Sequence, residues 1–178
     1  MRTGSLTKLS VSNPIVDRVK ETISKTHLNG GIIVKCFQIN NPELLNYPTM
    51  NEEYERYFTK ILTSDDIRMS IPELNIGKQL DCKTDFKMIS SFTLDGDIAS
   101  VIYNGGAYEG FYGTPREAKK LGQEFCDFIF GDRFLDVQVY QTNNPWCSWF
   151  FDFAWDDTWF ILDTNLKKIW LICITDTD

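Results

Sequence analysis

Histidine is nearly absent from this chain of 178 residues, which contains only His27. A nucleophilic or acid–base site built on histidine would have to use that residue. The sequence pattern places it at the C-terminal end of a helix, where a cationic side chain interacts well with the helix dipole. We therefore predict a surface or capping role for His27. The GxSxG, HExxH and P-loop motifs are absent as well, so no motif dictates a chemistry.

Cysteine is present in an odd number, five, and no CxxC pair occurs. A zinc site would need several Cys or His at close spacing, so we predict neither a metal nor a cofactor. Three cysteines lie in apolar runs, where a free thiol behaves as a small hydrophobic group; these are Cys36, Cys126 and Cys173. The N-terminus has no secretory apolar region, and no run reaches the roughly 18 apolar residues of a membrane span. We therefore expect a cytoplasmic protein with reduced thiols and no membrane partner.

Basic residues are outnumbered, with 18 Lys and Arg against 25 Asp and Glu and a net charge of −7. Since a general nucleic-acid binder needs a basic face to neutralise phosphates, this balance argues against a nucleic-acid partner. The charge is also uneven. Residues 1–35 carry six basic and two acidic side chains, a net of +4, whereas residues 136–178 carry two basic and seven acidic ones, a net of −5. The acidic end is expected to attract a basic protein.

Length and hydrophobic pattern predict one α+β domain over residues 13–178, preceded by a loosely ordered segment at residues 1–12. Three helices are expected to pack against an antiparallel sheet. Each helix has an N-terminal signal: a capping Asn followed by Pro, or a capping box. The three signals are Asn13-Pro14, Thr49 with Glu52, and Thr114-Pro115 with Glu117.

The sheet is predicted to contain a C-terminal meander and a hairpin. Asp95-Gly96 suits the type I′ turn of a two-residue hairpin. The alternation of Ile67, Met69 and Ile71 indicates a further extended segment. The remaining predicted strands are residues 31–39, 135–141, 147–155, 158–163 and 168–175.

All five tryptophans occur near the C-terminus, interleaved with aspartates; they are Trp146, Trp149, Trp155, Trp159 and Trp170. As a strand, residues 147–155 would direct Trp149, Phe151 and Phe153 toward the helices. The two following strands are apolar on both faces. Those faces are therefore either covered on both sides, or one is left for a partner or for a second copy of the chain in a homodimer. We interpret most of the tryptophans as core.

Part of this aromatic and acidic set is predicted to bind a partner, because Trp and Tyr are favoured interface anchors and complementary charge speeds association. The predicted partner-binding residues are Tyr140, Trp146, Asp152, Trp155, Asp156 and Asp157. The function expected from them is a non-enzymatic protein-binding module. One concrete form is an inhibitor or immunity-type protein that neutralises a basic partner such as a nuclease toxin.

An alternative function rests on GGAYEGFYG, residues 105–113, which precedes a predicted helix N-terminus. Glycines allow backbone N–H groups to face an anion, so this loop and a Trp-lined pocket could serve a small-ligand binder or an enzyme. The candidate ligand-binding residues are Gly105, Gly106, Tyr108, Glu109, Gly110 and Tyr112. The same glycines are also explained if residues 105–113 are a mobile connection in which the backbone turns sharply. Asp152 paired with Asp156 or Asp157 would suit a glycosidase, although adjacent aspartates are also common in turns.

Overall fold

The computed structural model describes residues 4–48 and 50–178, which form six strands and five α-helices. The strands are β1 (Leu6–Leu9), β2 (Gly31–Ile39), β3 (Lys87–Ile89), β4 (Val137–Thr142), β5 (Asp157–Asp163) and β6 (Lys168–Thr175). The α-helices are α1 (Pro14–Thr26), α2 (Asn51–Leu62), α3 (Asp65–Ser70), α4 (Leu94–Asn104) and α5 (Pro115–Ile129). Short 3₁₀ helices cover Pro42–Leu45 and Pro72–Leu74.

The six strands form one antiparallel sheet in the order β1-β2-β6-β5-β4-β3. The prediction of a single α+β domain with an antiparallel sheet is confirmed, and β4, β5 and β6 form the expected meander. The helix count is larger than predicted, five instead of about three. Residues 6–9, within the segment expected to be loosely ordered, form edge strand β1 against β2.

Both faces of the sheet are covered, which explains why β5 and β6 are apolar on both sides. On one face, Trp159 and Ile172 pack with buried residues of α1, α4 and α5. On the other face, Phe160 and Leu171 pack with residues of α2 and α3. In the described part of the chain, the central sheet therefore has no apolar face left uncovered for a second copy.

Two of the three predicted helix starts are observed. The Asn13 side chain accepts a hydrogen bond from the Ile15 N–H at 2.9 Å, with Pro14 at the first helical position. Thr114 and Glu117 form the complete capping box that opens α5. The predicted box of Thr49 and Glu52 depends on Thr49, which lies outside the described residues.

The predicted hairpin at Asp95-Gly96 is wrong, because residues 94–104 form helix α4. Leu94, Ile98 and Ile102 recur every four residues and are all buried against the sheet, so helical packing prevails over the local turn signal. Only Lys87–Ile89 of the predicted hairpin forms a strand, β3 at the sheet edge.

The extended segment predicted at residues 67–71 is also wrong, because Asp65–Ser70 form helix α3. Ile67 and Ile71 are four residues apart and both buried, whereas Met69 between them is 82% exposed. The Ser64 hydroxyl accepts a hydrogen bond from the Ile67 N–H and caps the helix. Alternation of three apolar residues was therefore a misleading signal.

The strand predicted at 147–155 is wrong as well, because these residues form turns and irregular backbone. Asp152 adopts a left-handed conformation with φ 62°, which extended pairing does not allow. Phe151 and Phe153, expected to face the helices, are exposed. None of the helices in residues 4–48 and 50–178 has the length and apolar character required to cross a membrane.

The close contact of α4 and α5 gives a test of the fold. A Cβ on Gly122 would lie 2.2 Å from the Asp95 carbonyl oxygen, so we expect Gly122→Ala to lower the free energy of unfolding by about 1–3 kcal/mol, despite the better helix propensity of Ala. Urea denaturation measures this. Gly96→Ala is the matched control, because its Cβ would meet only the flexible Lys119 end at 3.4 Å. Equal effects of the two substitutions would contradict the packing.

Candidate functional site

The segment between β4 and β5, residues 143–156, is called the aromatic loop. It is held in place by the carboxylate of Asp156, whose residue is completely buried. One carboxylate oxygen accepts hydrogen bonds from the backbone N–H groups of Asp152, at 2.7 Å, and Phe153, at 3.3 Å. The other accepts from the hydroxyl of Thr175 on β6. The loop is therefore tied to the centre of the sheet without regular secondary structure of its own.

The loop sorts its aromatic side chains between the core and the surface. Trp146 is completely buried, and its indole N–H donates to Thr158 Oγ1 at 3.0 Å. Phe151 and Phe153 are 44% and 42% exposed, and Trp155 is partly buried. Two phenylalanines thus remain in contact with solvent on a loop whose backbone is fixed.

Three of the predicted partner-binding residues are corrected by their burial. Tyr140, Trp146 and Asp156 are each 0% exposed, so they cannot touch a partner of the folded protein. Tyr140 lies on β4 within the core, and the other two support the aromatic loop. Asp152 is exposed at the tip of the loop, whereas Trp155 and Asp157 lie at its base.

Beside the aromatic loop is a cleft of about 390 Å³, called the acidic cleft. Its walls come from the end of α1, from α4, from β4 and β5, and from the loop itself. The residues that matter most for its chemistry are His27, Asp97, Gln141, Asn143, Trp155 and Asp157. Ser100, Asn104, Asn143 and Ala154 also line the cleft and are exposed, so its mouth is open to solvent.

Asp157 is the most buried carboxylate of the cleft, at 8% exposure. Its Oδ1 accepts hydrogen bonds from Gln141 Nε2 at 2.9 Å and from Asn143 Nδ2 at 2.7 Å. None of its described hydrogen bonds uses Oδ2. Burial raises the pKa of Asp157 to about 6, opposed by these two hydrogen bonds and reinforced by the charges of Asp97 and Asp156.

Asp97 contributes a second carboxylate from α4. Burial raises its pKa, with a further contribution from the neighbouring Asp95 and an opposing one from Lys119. Lys119 itself pairs with Asp95 at 2.9 Å. Among the described residues that line the cleft there is no Lys or Arg. The two carboxylates therefore face the cleft without a cationic side chain of the protein between them.

His27 is the C-cap residue of α1, so the capping alternative of its predicted role is observed, whereas its 2% exposure excludes the surface alternative. The Thr26 hydroxyl donates to the Ile23 carbonyl at 3.1 Å, so its oxygen must accept from His27 Nδ1 at 2.9 Å. In the neutral ring Nε2 is then a hydrogen-bond acceptor, and it has no partner among the described residues. Burial lowers the pKa of His27, opposed by the charge of Asp176, which favours the neutral ring at pH 7.

Two tryptophans, Trp155 and Trp159, are among the residues that line the cleft, and of the two only Trp155 is partly exposed. Trp159 is completely buried on β5, and its indole N–H has no hydrogen-bond partner among the described residues. Buried polar groups are paired in the great majority of cases. Of the five buried side-chain atoms without a partner among the described residues, two belong to residues of this cleft, His27 Nε2 and Trp159 Nε1.

The glycine-rich loop at 105–113 is arranged differently from an anion-binding loop. The Gly106 N–H donates to the Glu109 carbonyl at 3.0 Å, and the Ala107 N–H donates to the buried carboxylate of Asp176 at 2.8 Å. At the start of α5, Glu117 already supplies a carboxylate that accepts from the Thr114 N–H at 2.6 Å.

The candidate ligand-binding residues of this loop do not converge on one site. Gly105 lines the acidic cleft and lies at the C-terminal end of α4 with φ 71°. Tyr108, Gly110 and Tyr112 are exposed, and the Tyr112 hydroxyl donates to Glu109. The loop therefore contributes to the acidic cleft through Gly105 alone.

A larger depression of about 620 Å³ lies near Glu55 and Phe86. Its wall includes Lys83 and Lys87 beside Glu55 and Asp85, so its charges are mixed. The Glu55 carboxylate already accepts from the Thr84 N–H, the Thr84 hydroxyl and the Asp85 N–H. The acidic cleft is the stronger candidate because its polar groups are less completely paired.

Neither a scan against protein-family models nor a search of curated proteins finds a match for this chain. Within residues 4–48 and 50–178, no group of three or more His, Cys, Asp and Glu side chains could hold a metal ion. Of the predicted site residues, Trp155, Asp157 and Gly105 meet in the cleft, whereas His27, Asp97, Gln141 and Asn143 join them without a prediction from the sequence.

Replacing Asp156 with Ala tests the anchor of the aromatic loop. The change leaves the N–H groups of Asp152 and Phe153 and the Thr175 hydroxyl without their acceptor, so we expect the free energy of unfolding to fall by about 2–4 kcal/mol. Urea denaturation monitored by circular dichroism measures the loss. Thr175→Val removes one of these hydrogen bonds and should cost less. A neutral Asp156→Ala would contradict the anchoring role.

Replacing Asp157 with Asn tests the burial of its charge. The pKa of Asp157 rises from its ordinary 3.8 to about 6 on folding, so the folded protein holds this proton to higher pH than the unfolded chain does. The raised pKa of Asp157 therefore contributes to the free energy of unfolding fully below about pH 4, and this contribution is lost as pH rises through about 6. We expect Asp157→Asn to raise the free energy of unfolding by about 1–3 kcal/mol at pH 7.5, and this gain to disappear near pH 4.

Urea denaturation at the two pH values is the measurement. Asp132→Asn is the matched control, since Asp132 is exposed and should change stability by no more than about 0.5 kcal/mol at either pH. If Asp157→Asn changed the free energy of unfolding equally at both pH values, ionisation of the buried carboxylate would not be the cause of the change.

Proposed function

We propose that this protein is a protein-binding module that receives a basic partner on the aromatic loop and the acidic cleft beside it. The observation that carries the proposal is the combination of exposed Phe151 and Phe153 on an anchored loop with two carboxylates, Asp97 and Asp157, in the adjoining cleft. Exposed aromatic side chains are favoured contact residues, and clustered carboxylates complement a basic surface.

Preorganisation supports the proposal. The buried Asp156 carboxylate fixes the backbone at Asp152 and Phe153, and Trp146 fixes the start of the same loop through Thr158. Ordering of flexible segments is one of the main costs of binding, so a loop that is already fixed gains affinity.

Charge supports a basic partner in particular. The net charge of the chain is −7, and residues 136–178, which contain the aromatic loop and Asp157, have seven acidic and two basic side chains. Because four of these aspartates are buried, namely Asp156, Asp157, Asp163 and Asp176, the attraction of a positively charged protein rests mainly on the net charge of the whole chain. An inhibitor or immunity-type protein that covers the basic surface of a nuclease toxin is the concrete form we propose. A cytoplasmic setting is part of it, supported by the five free cysteines.

A second function uses the same cleft for a small ligand or for catalysis. The observation that favours it is the environment of Asp157, whose pKa of about 6 is suited to acid–base chemistry near neutral pH. The partly exposed Trp155 side chain suits a flat or cyclic ligand. In this second function the exposed phenylalanines of the aromatic loop would be dispensable, which separates it from the first.

The test compares capture of a partner from the native host by the wild-type protein and by the double variant Phe151→Ser/Phe153→Ser. We expect the wild type to retain a basic protein at low salt and to release it as salt rises, because screening weakens charge attraction. The double variant should retain at least about tenfold less of the partner, since aromatic anchors that become buried at an interface commonly contribute a few kcal/mol of binding free energy. Quantitative mass spectrometry of the eluates is the measurement.

Tyr112→Ser is the matched control, because Tyr112 is 86% exposed on a different loop and its replacement removes a comparable aromatic surface. It should leave retention unchanged, and thermal denaturation should confirm that all variants are folded. Retention that is the same for the double variant and the wild type would exclude the aromatic loop as the contact surface.

A further inference from the structure

The acidic cleft presents a set of hydrogen-bond acceptors that the protein leaves unused. Within residues 4–48 and 50–178, both hydrogen bonds to the Asp157 carboxylate use Oδ1, which leaves Oδ2 free, and the Asp97 carboxylate has no hydrogen-bond partner. His27 adds Nε2, an acceptor in the neutral ring that is buried and unpaired among the described residues. A ligand that fits the two carboxylates must be positively charged and must supply hydrogen-bond donors.

The protein supplies no such cation from the described residues that line the cleft. The charge of Lys119 on α5 lowers the pKa of Asp97, but the Lys119 side chain forms its ion pair with Asp95, which lies on α4 together with Asp97. Burying a carboxylate without a partner charge is costly, and Asp157 is held at 8% exposure with two amide donors on one oxygen only. The missing positive charge is therefore expected to come from outside the chain.

We propose that the acidic cleft binds a guanidinium group, the end of an arginine side chain, between the carboxylates of Asp97 and Asp157 and against Trp155. The assignment of that arginine to a protein partner rests on the proposed function, whereas binding of the guanidinium group does not. The volume of about 390 Å³ and the open mouth at Ser100 and Asn143 leave room for a long side chain to enter.

The chemistry favours guanidinium over ammonium. A guanidinium group is planar, carries five N–H donors, stacks on aromatic faces and is more weakly hydrated, so it loses less on entering a partly dry cleft. These properties match the two separate carboxylates of Asp97 and Asp157 and the neighbouring side chain of Trp155. The indole N–H of Trp159 is a donor, and a guanidinium group offers no acceptor for it. Because Trp159 is one of the residues that line the cleft, its N–H signal can report binding there.

The test is titration of the full chain with N-acetyl-arginine amide, followed by ¹⁵N NMR of the tryptophan indole N–H groups. The Trp159 signal, assigned from a Trp159→Phe variant, should shift with saturation at pH 7.5, where Asp157 is ionised. N-acetyl-citrulline amide, a neutral analogue of similar shape, should bind at least about tenfold more weakly because it lacks the charge. N-acetyl-lysine amide should also bind more weakly than the arginine derivative.

Asp157→Asn should weaken arginine binding by at least about tenfold, whereas Asp132→Asn, which removes the same charge at an exposed site before β4, should leave it unchanged. Both variants are expected to fold, and denaturation curves check this. Asp97→Asn gives a second, independent carboxylate test.

Three outcomes would overturn the inference: no saturable shift with the arginine derivative, equal binding of citrulline, or equal binding of lysine. Equal loss in Asp132→Asn and Asp157→Asn would do so too, because it would indicate attraction by net charge alone. Failure of the proposed function is a separate result. Saturable arginine binding without a captured partner would support the guanidinium site and contradict the proposed protein-binding function. Capture of a partner that the Phe151→Ser/Phe153→Ser variant no longer retains, without arginine binding, would support the function and contradict the guanidinium site.

Discussion

The hydrogen bonds of the buried Asp156 carboxylate are the interaction on which the proposed binding surface depends. It replaces the hydrogen-bonding partners that a strand would have provided for residues 152 and 153, and it connects them to Thr175 on the central strand β6. The chain can therefore leave the sheet after β4 and return at β5 without becoming flexible. Because the side chain of Asp156 is used in this way, Phe151 and Phe153 can stay in solvent on a fixed backbone.

The acidic cleft arises from the same arrangement. Fixing the end of the loop places Trp155 and Asp157 next to the end of α1 and the side of α4, where His27 and Asp97 lie. Keeping Asp157 there costs stability at neutral pH, since burial opposes its ionisation. Strongly shifted pKa values cluster at functional sites, which is the physical reason for proposing a role for the cleft.

Prediction from sequence succeeded where local and long-range preferences agree. The β-branched run of β2, the Asn-Pro start of α1 and the capping box of α5 were recognised because each signal is local and the buried face matches it. It failed at α4 and in the aromatic loop. At α4 a turn-forming Asp-Gly pair concealed apolar residues at helical spacing, and in the loop an alternation of aromatic residues had no partner strand to pair with. Neither conflict can be resolved without knowing what the segment packs against.

The sequence by itself determined the α+β class, the acidic C-terminal end and the assignment of most tryptophans to the core, because these follow from composition and period. It also pointed to Trp155 and Asp157. Tertiary structure alone decided that they meet His27 and Asp97, which lie about 130 and 60 residues earlier in the chain. It also decided which aspartates are buried supports and which line the acidic cleft. The reason is that side-chain burial and hydrogen-bond pairing depend on packing between distant segments, and no local pattern encodes that packing.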